Sequence, residues 1–182
     1  VAQGRKEKKD MSIIVVDVES DGPAPGLFSM VCFGAVIVED PIVKTFYGTT
    51  APIVSSYDPA ALRISGFSRE QHEGFDDPAE TMQKFDRWLI ENCKGRPVFY
   101  SDNNGYDWQF INWYFHKYLG RNPFGFSSQN INSLYKGLQK DVHSSFKHLR
   151  KTTHDHNPVN DAKGNAEALL TMIRTYNLKI PT

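Results

Sequence analysis

An apolar run, Ile13-Ile14-Val15-Val16, ends in Asp17-Val18-Glu19. Far downstream, Tyr106-Asp107 opens an aromatic segment, and His156-Asn157-Pro158-Val159-Asn160-Asp161 opens another apolar one. Four carboxylates and one imidazole, each at the mouth of a predicted strand or helix, are the groups that a pair of divalent cations needs to hydrolyse a phosphodiester. Hard cations take oxygen ligands, and clustered carboxylates repel one another unless cations or protons intervene.

Each part of this set has an ordinary reading beside the chemical one. Side chains two apart in a strand share a face, so Asp17 and Glu19 point the same way, and Gly22, Pro23, Pro25 and Gly26 open the chain into a loop just beyond. That is a cation site or a solvated strand end. Phosphatases with an Asp nucleophile also carry an acid pair here, as D-x-D, but the third position in this chain is Glu19 and no partner signature for that chemistry follows. Asp107 lies three and four residues before Phe110 and Ile111, on the inward side of its helix, whereas an acid that merely favours the helix dipole faces water. His156 and Asp161 form H-x4-D. His72 and Asp77 have the same spacing, but they precede Asp107, and Asp77 is explained as a helix cap. His154 competes with His156 for the role of base; spacing favours His156, with His154 pointing elsewhere.

The elements that must position these groups follow from periodicity and punctuation. Residues 12–16 are apolar on both faces, as in a central strand. Residues 30–39 and 42–47 read as a hairpin around Asp40-Pro41. Asp77-Pro78-x-Glu80 is a helix start, followed by Met82, Phe85, Leu89 and Cys93 at helical spacing. Residues 96–101 are the next strand, 107–118 a helix and 125–129 a short fifth strand. Helices are expected over 131–138, 144–151 and from 158 to about 176, the last with Ala162, Ala166, Leu169, Leu170 and Ile173 on its buried stripe. A hairpin followed by alternating helices and strands implies a mixed α/β sheet covered by helices.

Composition permits this. A chain of 182 residues is one domain by length, and 40% hydrophobic residues suffice for a single core. No apolar run reaches the roughly 20 residues of a membrane span. Cys32 and Cys93 match no metal spacing and read as buried free thiols of a cytoplasmic protein. The first ten residues, VAQGRKEKKD, are polar and unpatterned and are expected to be a disordered leader or tag ahead of a single domain over 11–182. Without them the net charge is −2. A protein gripping long nucleic acid through many phosphates is basic, so any nucleic-acid footprint here is short.

The order D-x-E on the first strand, N-x-x-[FY]-D opening a middle helix and H-x4-D opening the last resembles the DEDDh branch of the 3′→5′ exonuclease superfamily, with RNase T-like exoribonucleases most similar. The likeness extends over nearly all of residues 11–182, including Ala61-Leu62-Arg63-Ile64-Ser65-Gly66-Phe67. It departs from the family in Asp102, where many members have His, in Ser20 for Thr, and in DGPAPGLF after Glu19. The resemblance implies an RNase H-like fold, with a mixed five-stranded sheet of three antiparallel strands and then two parallel ones. It implies two Mg²⁺ or Mn²⁺ ions held by Asp17, Glu19, Asp107 and Asp161, with His156 as general base. It also implies release of nucleoside 5′-monophosphates from the 3′ end of a single strand, RNA favoured over DNA. Val18, Ser20, Phe28, Phe67, Asn103 and Tyr106 would contact substrate; Lys136, Lys140, Lys147, Arg150 and Lys151 would steer phosphates or form a solvated face. A homodimer is compatible with the family. A DNA-directed enzyme would use the same five residues, a non-catalytic binding module should have lost a ligand, and an Asp-nucleophile phosphatase would leave oligonucleotides intact.

Overall fold

A computed structural model describes residues 10–179. The expected leader therefore lies outside the described residues except for Asp10, whose carbonyl accepts a hydrogen bond from the Arg96 amide. Asp10 thus reaches the start of β4, just ahead of β1.

Five strands, β1 (Met11–Ser20), β2 (Met30–Ile37), β3 (Thr45–Thr49), β4 (Arg96–Ser101) and β5 (Ser128–Asn130), form one sheet in the order β3-β2-β1-β4-β5. β1 pairs antiparallel with β2 and parallel with β4; β2–β3 is antiparallel and β4–β5 parallel. This is the mixed RNase H-like arrangement expected from the sequence. β1 is central, and its side chains alternate between two cores as the strand period demands. Ile14, Val16 and Val18 pack with α3 (Pro78–Asn92) and α4 (Asn104–Leu119), in a core rich in Phe and Tyr. Ile13 and Val15 pack with α5 (Ile131–Gln139) and α6 (Pro158–Thr175). Asp17 and Glu19 continue the second face, so they emerge toward α6. Among the described residues, no helix is long and apolar enough to cross a membrane.

Several boundaries differ from the expectation, each for a physical reason. β1 runs on through the acidic residues to Ser20, because the β2 ladder continues past Asp17↔Gly34 and Glu19↔Cys32, with a bulge between Glu19 and Ser20. The helix expected over 144–151 is only a 3-10 turn, Lys147–Leu149; Arg150 beyond it is extended, with ψ 140°. Two short helices had local signals that the apolar pattern passed over. α1 (Pro59–Ile64) has Asp58 as N-cap and Pro at its first position, and α2 (Arg69–Glu73) carries a capping box between Ser68 and Gln71.

One close approach fixes α6 on the sheet. A Cβ on Gly34 would stand 2.3 Å from the Pro158 carbonyl carbon and 2.4 Å from the Val159 amide. The first turn of α6 therefore lies directly on β2 beside Asp17, and only glycine leaves room for it. Asn157 caps that turn, its side chain accepting from the amides of Val159 and Asn160, and Pro158 occupies the first helical position. Gly34→Ala should therefore lift α6, cost about 1–3 kcal/mol as an overpacked contact does, and weaken Mg²⁺ or Mn²⁺ binding by moving Asp161. Urea unfolding and metal titration of this variant check it; unchanged values in both would show that the approach is not needed.

Candidate active site

The two helices that carry the downstream acids deliver them alike. Asp107 is the fourth residue of α4 and Asp161 the fourth of α6, so both helix N-termini point toward the end of β1. The partial positive charge of a helix start favours an anion there. Asp17, Glu19 and Asp161 each offer an oxygen, with these atoms within 4.8 Å of one another. Asp107 stands outside that trio and is tied to β1 instead: its Oδ1 accepts from the Val18 amide at 3.1 Å. Sequence and structure thus agree in bringing Asp17, Glu19 and Asp161 together, with Asp107 beside them.

The electrostatics are those of a site that lacks counter-charge. Desolvation, then the charges on Asp107, Asp102, Asp161 and Glu19, push the Asp17 carboxyl well above the usual carboxylate range. Desolvation and then Asp102 do the same for Asp107. Glu19 is pushed up to about 7, chiefly by desolvation and against the pull of His156. Asp107 and Asp161 are each only 2% exposed, yet Oδ2 of each has no hydrogen-bond partner. Buried carboxylate oxygens without partners, on residues beside an anionic cluster, are what a divalent cation satisfies, so the residues present fit such ions.

Both imidazoles reach the cluster. His156 Nδ1 lies 3.6 Å from Glu19 Oε1, and His156 has a left-handed backbone, φ 60°. His154 does not point elsewhere as the spacing suggested: its Nδ1 is 2.8 Å from Asp161 Oδ1, which also accepts from the Asp155 amide. The segment before α6 has no helix or strand hydrogen bonding, so residues two apart can present their rings to one side, and the two rings meet edge to face at 4.7 Å.

The residues expected to touch substrate are dispersed in role. Val18 contributes its amide to Asp107, while its side chain is in the core. Ser20 is buried, its hydroxyl shared between the Gly22 carbonyl and the Tyr106 hydroxyl, so it links the loop after β1 to α4. Phe28 is half-buried with its ring over Gly22, where no Cβ fits. Asn103 caps α4 without a side-chain hydrogen bond and is exposed. Phe67 packs edge-on against Phe75 in a satellite cluster with Val31, Cys32 and Leu62. Cys32 is the sheet partner of Glu19, so this cluster flanks the site from behind.

Three features escaped the sequence reading. Asp102 accepts from Arg150 at 2.8 Å and from Asn165 at 3.2 Å, so it joins the end of β4 to α6 and to the segment bearing the histidines. Arg150 therefore points inward, with an 8% exposed side chain, and does not steer phosphates from the surface. Asn165 was findable, since it lies four residues after Asp161 on the buried side of α6. Third, Arg69 clamps the loop after β1: it donates to Asp21 at 3.0 Å and to the Val54 carbonyl at 3.0 Å, and covers the Tyr57 ring. Nothing in the spacing of Arg69 and Asp21 announces that pair.

No family model matches the chain. It is 37% identical over 174 residues to the 3'-5' DNA exonuclease Cap18 of Escherichia coli, covering 88% of this chain and 91% of that one. Among solved structures, the nuclease domain of 3'hExo, a DEDDh family member bound to rAMP, superposes with a TM-score of 0.72 at 18% identity, over 94% of this chain and 95% of that one. Escherichia coli Exonuclease I in complex with a dT13 oligonucleotide gives 0.72 at 12% identity over 92% of this chain, which spans 43% of that larger protein. With its acids carried on β1, α4 and α6 and with relatives of this kind, the chain belongs to the DEDDh family of 3′→5′ exonucleases.

Proposed function

We propose that this exonuclease removes nucleotides one at a time from the 3′ end of single-stranded DNA, using Asp17, Glu19, Asp107 and Asp161 as metal ligands and His156 as general base. The observation that carries the chemistry is the trio Asp17, Glu19 and Asp161 around one point, with unpartnered oxygens on Asp161 and Asp107. The preference for DNA rests on the 37% identical relative named a DNA exonuclease. The RNA preference expected from the sequence rested on family resemblance alone; the 3'hExo domain bound to rAMP keeps RNA as the second reading.

Two divalent ions, Mg²⁺ or Mn²⁺, would supply positive charge to the scissile phosphate and acidify the attacking water. Glu19 and Asp161 would hold one ion, Asp107 the other, and Asp17 both. The exposed ring of His156 reaches over Glu19, where it can take the proton of the attacking water. The P–O3′ bond breaks as the new P–O bond forms, leaving a nucleoside 5′-monophosphate and a strand shorter by one. Tyr106, braced through Ser20, and Asn103, whose side chain makes no capping bond at the start of α4, would meet the terminal nucleotide. The unpaired Cys32 and Cys93 suit a reducing cytoplasm.

Matched 3′- and 5′-labelled DNA and RNA oligomers in Mg²⁺ test the direction and the sugar. DNA should be shortened stepwise from its 3′ end and RNA more slowly; efficient cutting of a circular single strand would show an endonuclease instead. Alanine at Asp17, Glu19, Asp107 or Asp161 should nearly abolish hydrolysis with the fold retained, and near-normal turnover in two of the four would undo the ligand assignment. His156→Ala should lose a factor on the order of 10²–10⁴, the usual share of a general base, and His154→Ala much less.

A pH series in EDTA tests the electrostatics. A carboxyl whose pKa is raised in the folded state binds its proton more tightly there, so its contribution to stability is complete below the unfolded pKa and is lost as pH rises through the folded one. For Glu19 that window runs from 4.5 to about 7. The wild-type unfolding temperature should fall across this window more steeply than that of Glu19→Gln, and Mg²⁺ or Mn²⁺ should restore it at the upper end. Equal slopes for the two proteins would contradict the burial of repelling charge.

A further inference from the structure

We infer that His154, His156 and Asp161 form a second metal site, selective for a borderline ion of the Zn²⁺ class, whose occupancy inhibits the exonuclease. The inhibitory half rests on the function proposed above; the binding half does not.

One imidazole serves as base in the exonuclease reaction, and the second has no part in it. Yet the two rings stand together over the same carboxylate: one donor atom from each of His154, His156 and Asp161 lies within 4.8 Å of the others. His154 Nδ1 is 2.8 Å from Asp161 Oδ1. Around tetrahedral zinc, with bonds of about 2.0–2.2 Å, neighbouring donors stand roughly 3.3–3.5 Å apart. Small movements of two half-exposed rings on an irregular segment close that shell. Glu19 Oε1, 3.6 Å from His156 Nδ1, stands where a fourth ligand belongs. Asp161 brings a buried oxygen with no partner, Oδ2, so it can turn toward either set of ligands.

Ligand chemistry separates the two sites. Mg²⁺ is a hard ion that takes oxygens and leaves imidazole alone, so it selects Asp17, Glu19 and Asp161. Zn²⁺ binds imidazole well and exceeds Mg²⁺ in affinity for mixed nitrogen and oxygen sites, so it selects the two histidines with Asp161. Asp161 belongs to both sets. An ion in the histidine site therefore removes a ligand from the catalytic pair and, through His156, the base as well.

The test uses the intact chain with Zn²⁺ alone as probe, titrated against a chromophoric chelator, and x-ray absorption at the zinc edge. One tight equivalent with two imidazole ligands is expected. His154→Ala and His154→Gln should each weaken it at least 10–100-fold, the loss that even an outer-shell partner causes. Excess Mg²⁺ should compete weakly. Zinc bound with no imidazole, or with affinity unchanged by both His154 variants, would place it among the carboxylates and overturn the site. In the second arm, Zn²⁺ should inhibit hydrolysis of a DNA oligomer in Mg²⁺. The inhibitory concentration should rise at least tenfold in His154→Ala, each protein being scaled to its own rate without zinc. Inhibition equal in both would overturn the regulatory half. Tight zinc binding by a chain that hydrolyses no oligomer in Mg²⁺ would instead overturn the exonuclease reading and leave the site standing.

Discussion

Four carboxylates have to stand close together at the end of one strand, and without cations they repel. Everything near the site can be read as a means of holding them there. Asp107 is hydrogen-bonded to the strand it faces, through the Val18 amide. Asp161 is carried on a helix whose first turn is pressed onto β2 at Gly34, where nothing larger fits. Both acids sit at helix starts, where the backbone offers partial positive charge. Aligned amides are a weak compensation for burial, the largest cause, and for the neighbouring carboxylates, and the carboxyls of Asp17, Asp107 and Glu19 remain pushed toward their protonated forms. Cations bound among these carboxyls would relieve that cost.

The sheet explains how one strand serves both the core and the chemistry. β1 is bordered by β2 along most of its length and by β4 from Met11 to Val15, and its side chains alternate between two helical layers. The even positions from Ile14 to Val18 stay apolar against α3 and α4. The odd positions change from Ile13 and Val15 to Asp17 and Glu19 where α6 begins and its dense apolar stripe has not yet covered the sheet. A one-residue slip of β1 would bury both acids under α4, so register and catalysis are specified by the same alternation.

What was legible in the sequence follows from this. The acids on β1, α4 and α6 could be read because each sits at a fixed phase of a strong apolar period: two apart on a strand, or one helical turn ahead of core residues such as Phe110 and Ile111. The strands β1, β2 and β4 and the helices α3, α4 and α6 could be read for the same reason, whereas the five-stranded arrangement was implied by the family resemblance. The short helices α1 and α2 were missed although their caps were present, since five or six residues make too little apolar pattern to notice. The 3-10 turn replaced an expected helix because Arg150 is drawn out to Asp102, a contact between residues 48 apart. Pairings of that kind, Asp21 with Arg69 and His154 with Asp161 among them, depend on how the loops close in space. Local spacing does not encode them, and the position of His154 was misjudged for that reason.

The inward turn of Arg150 also bears on how a nearly neutral protein holds a polyanion. It was one of five basic residues before His156 that could have faced solvent, and its guanidinium instead lies against Asp102 with 8% of the side chain exposed. It pairs with a carboxylate whose charge also bears on Asp17 and Asp107, raising both carboxyls. Arg150 is thus a fixed internal cation that braces β4 against the segment carrying both histidines. Residues 11–182 carry a net charge of −2. A phosphate approaching such a surface gains little from long-range attraction. Its affinity must arise at contact, and in the function proposed above bound ions, Tyr106 and the start of α4 would meet only the last nucleotides of a strand. A short footprint of this kind can engage a free end and has little hold on the middle of a chain, which is the physical basis for acting from the terminus.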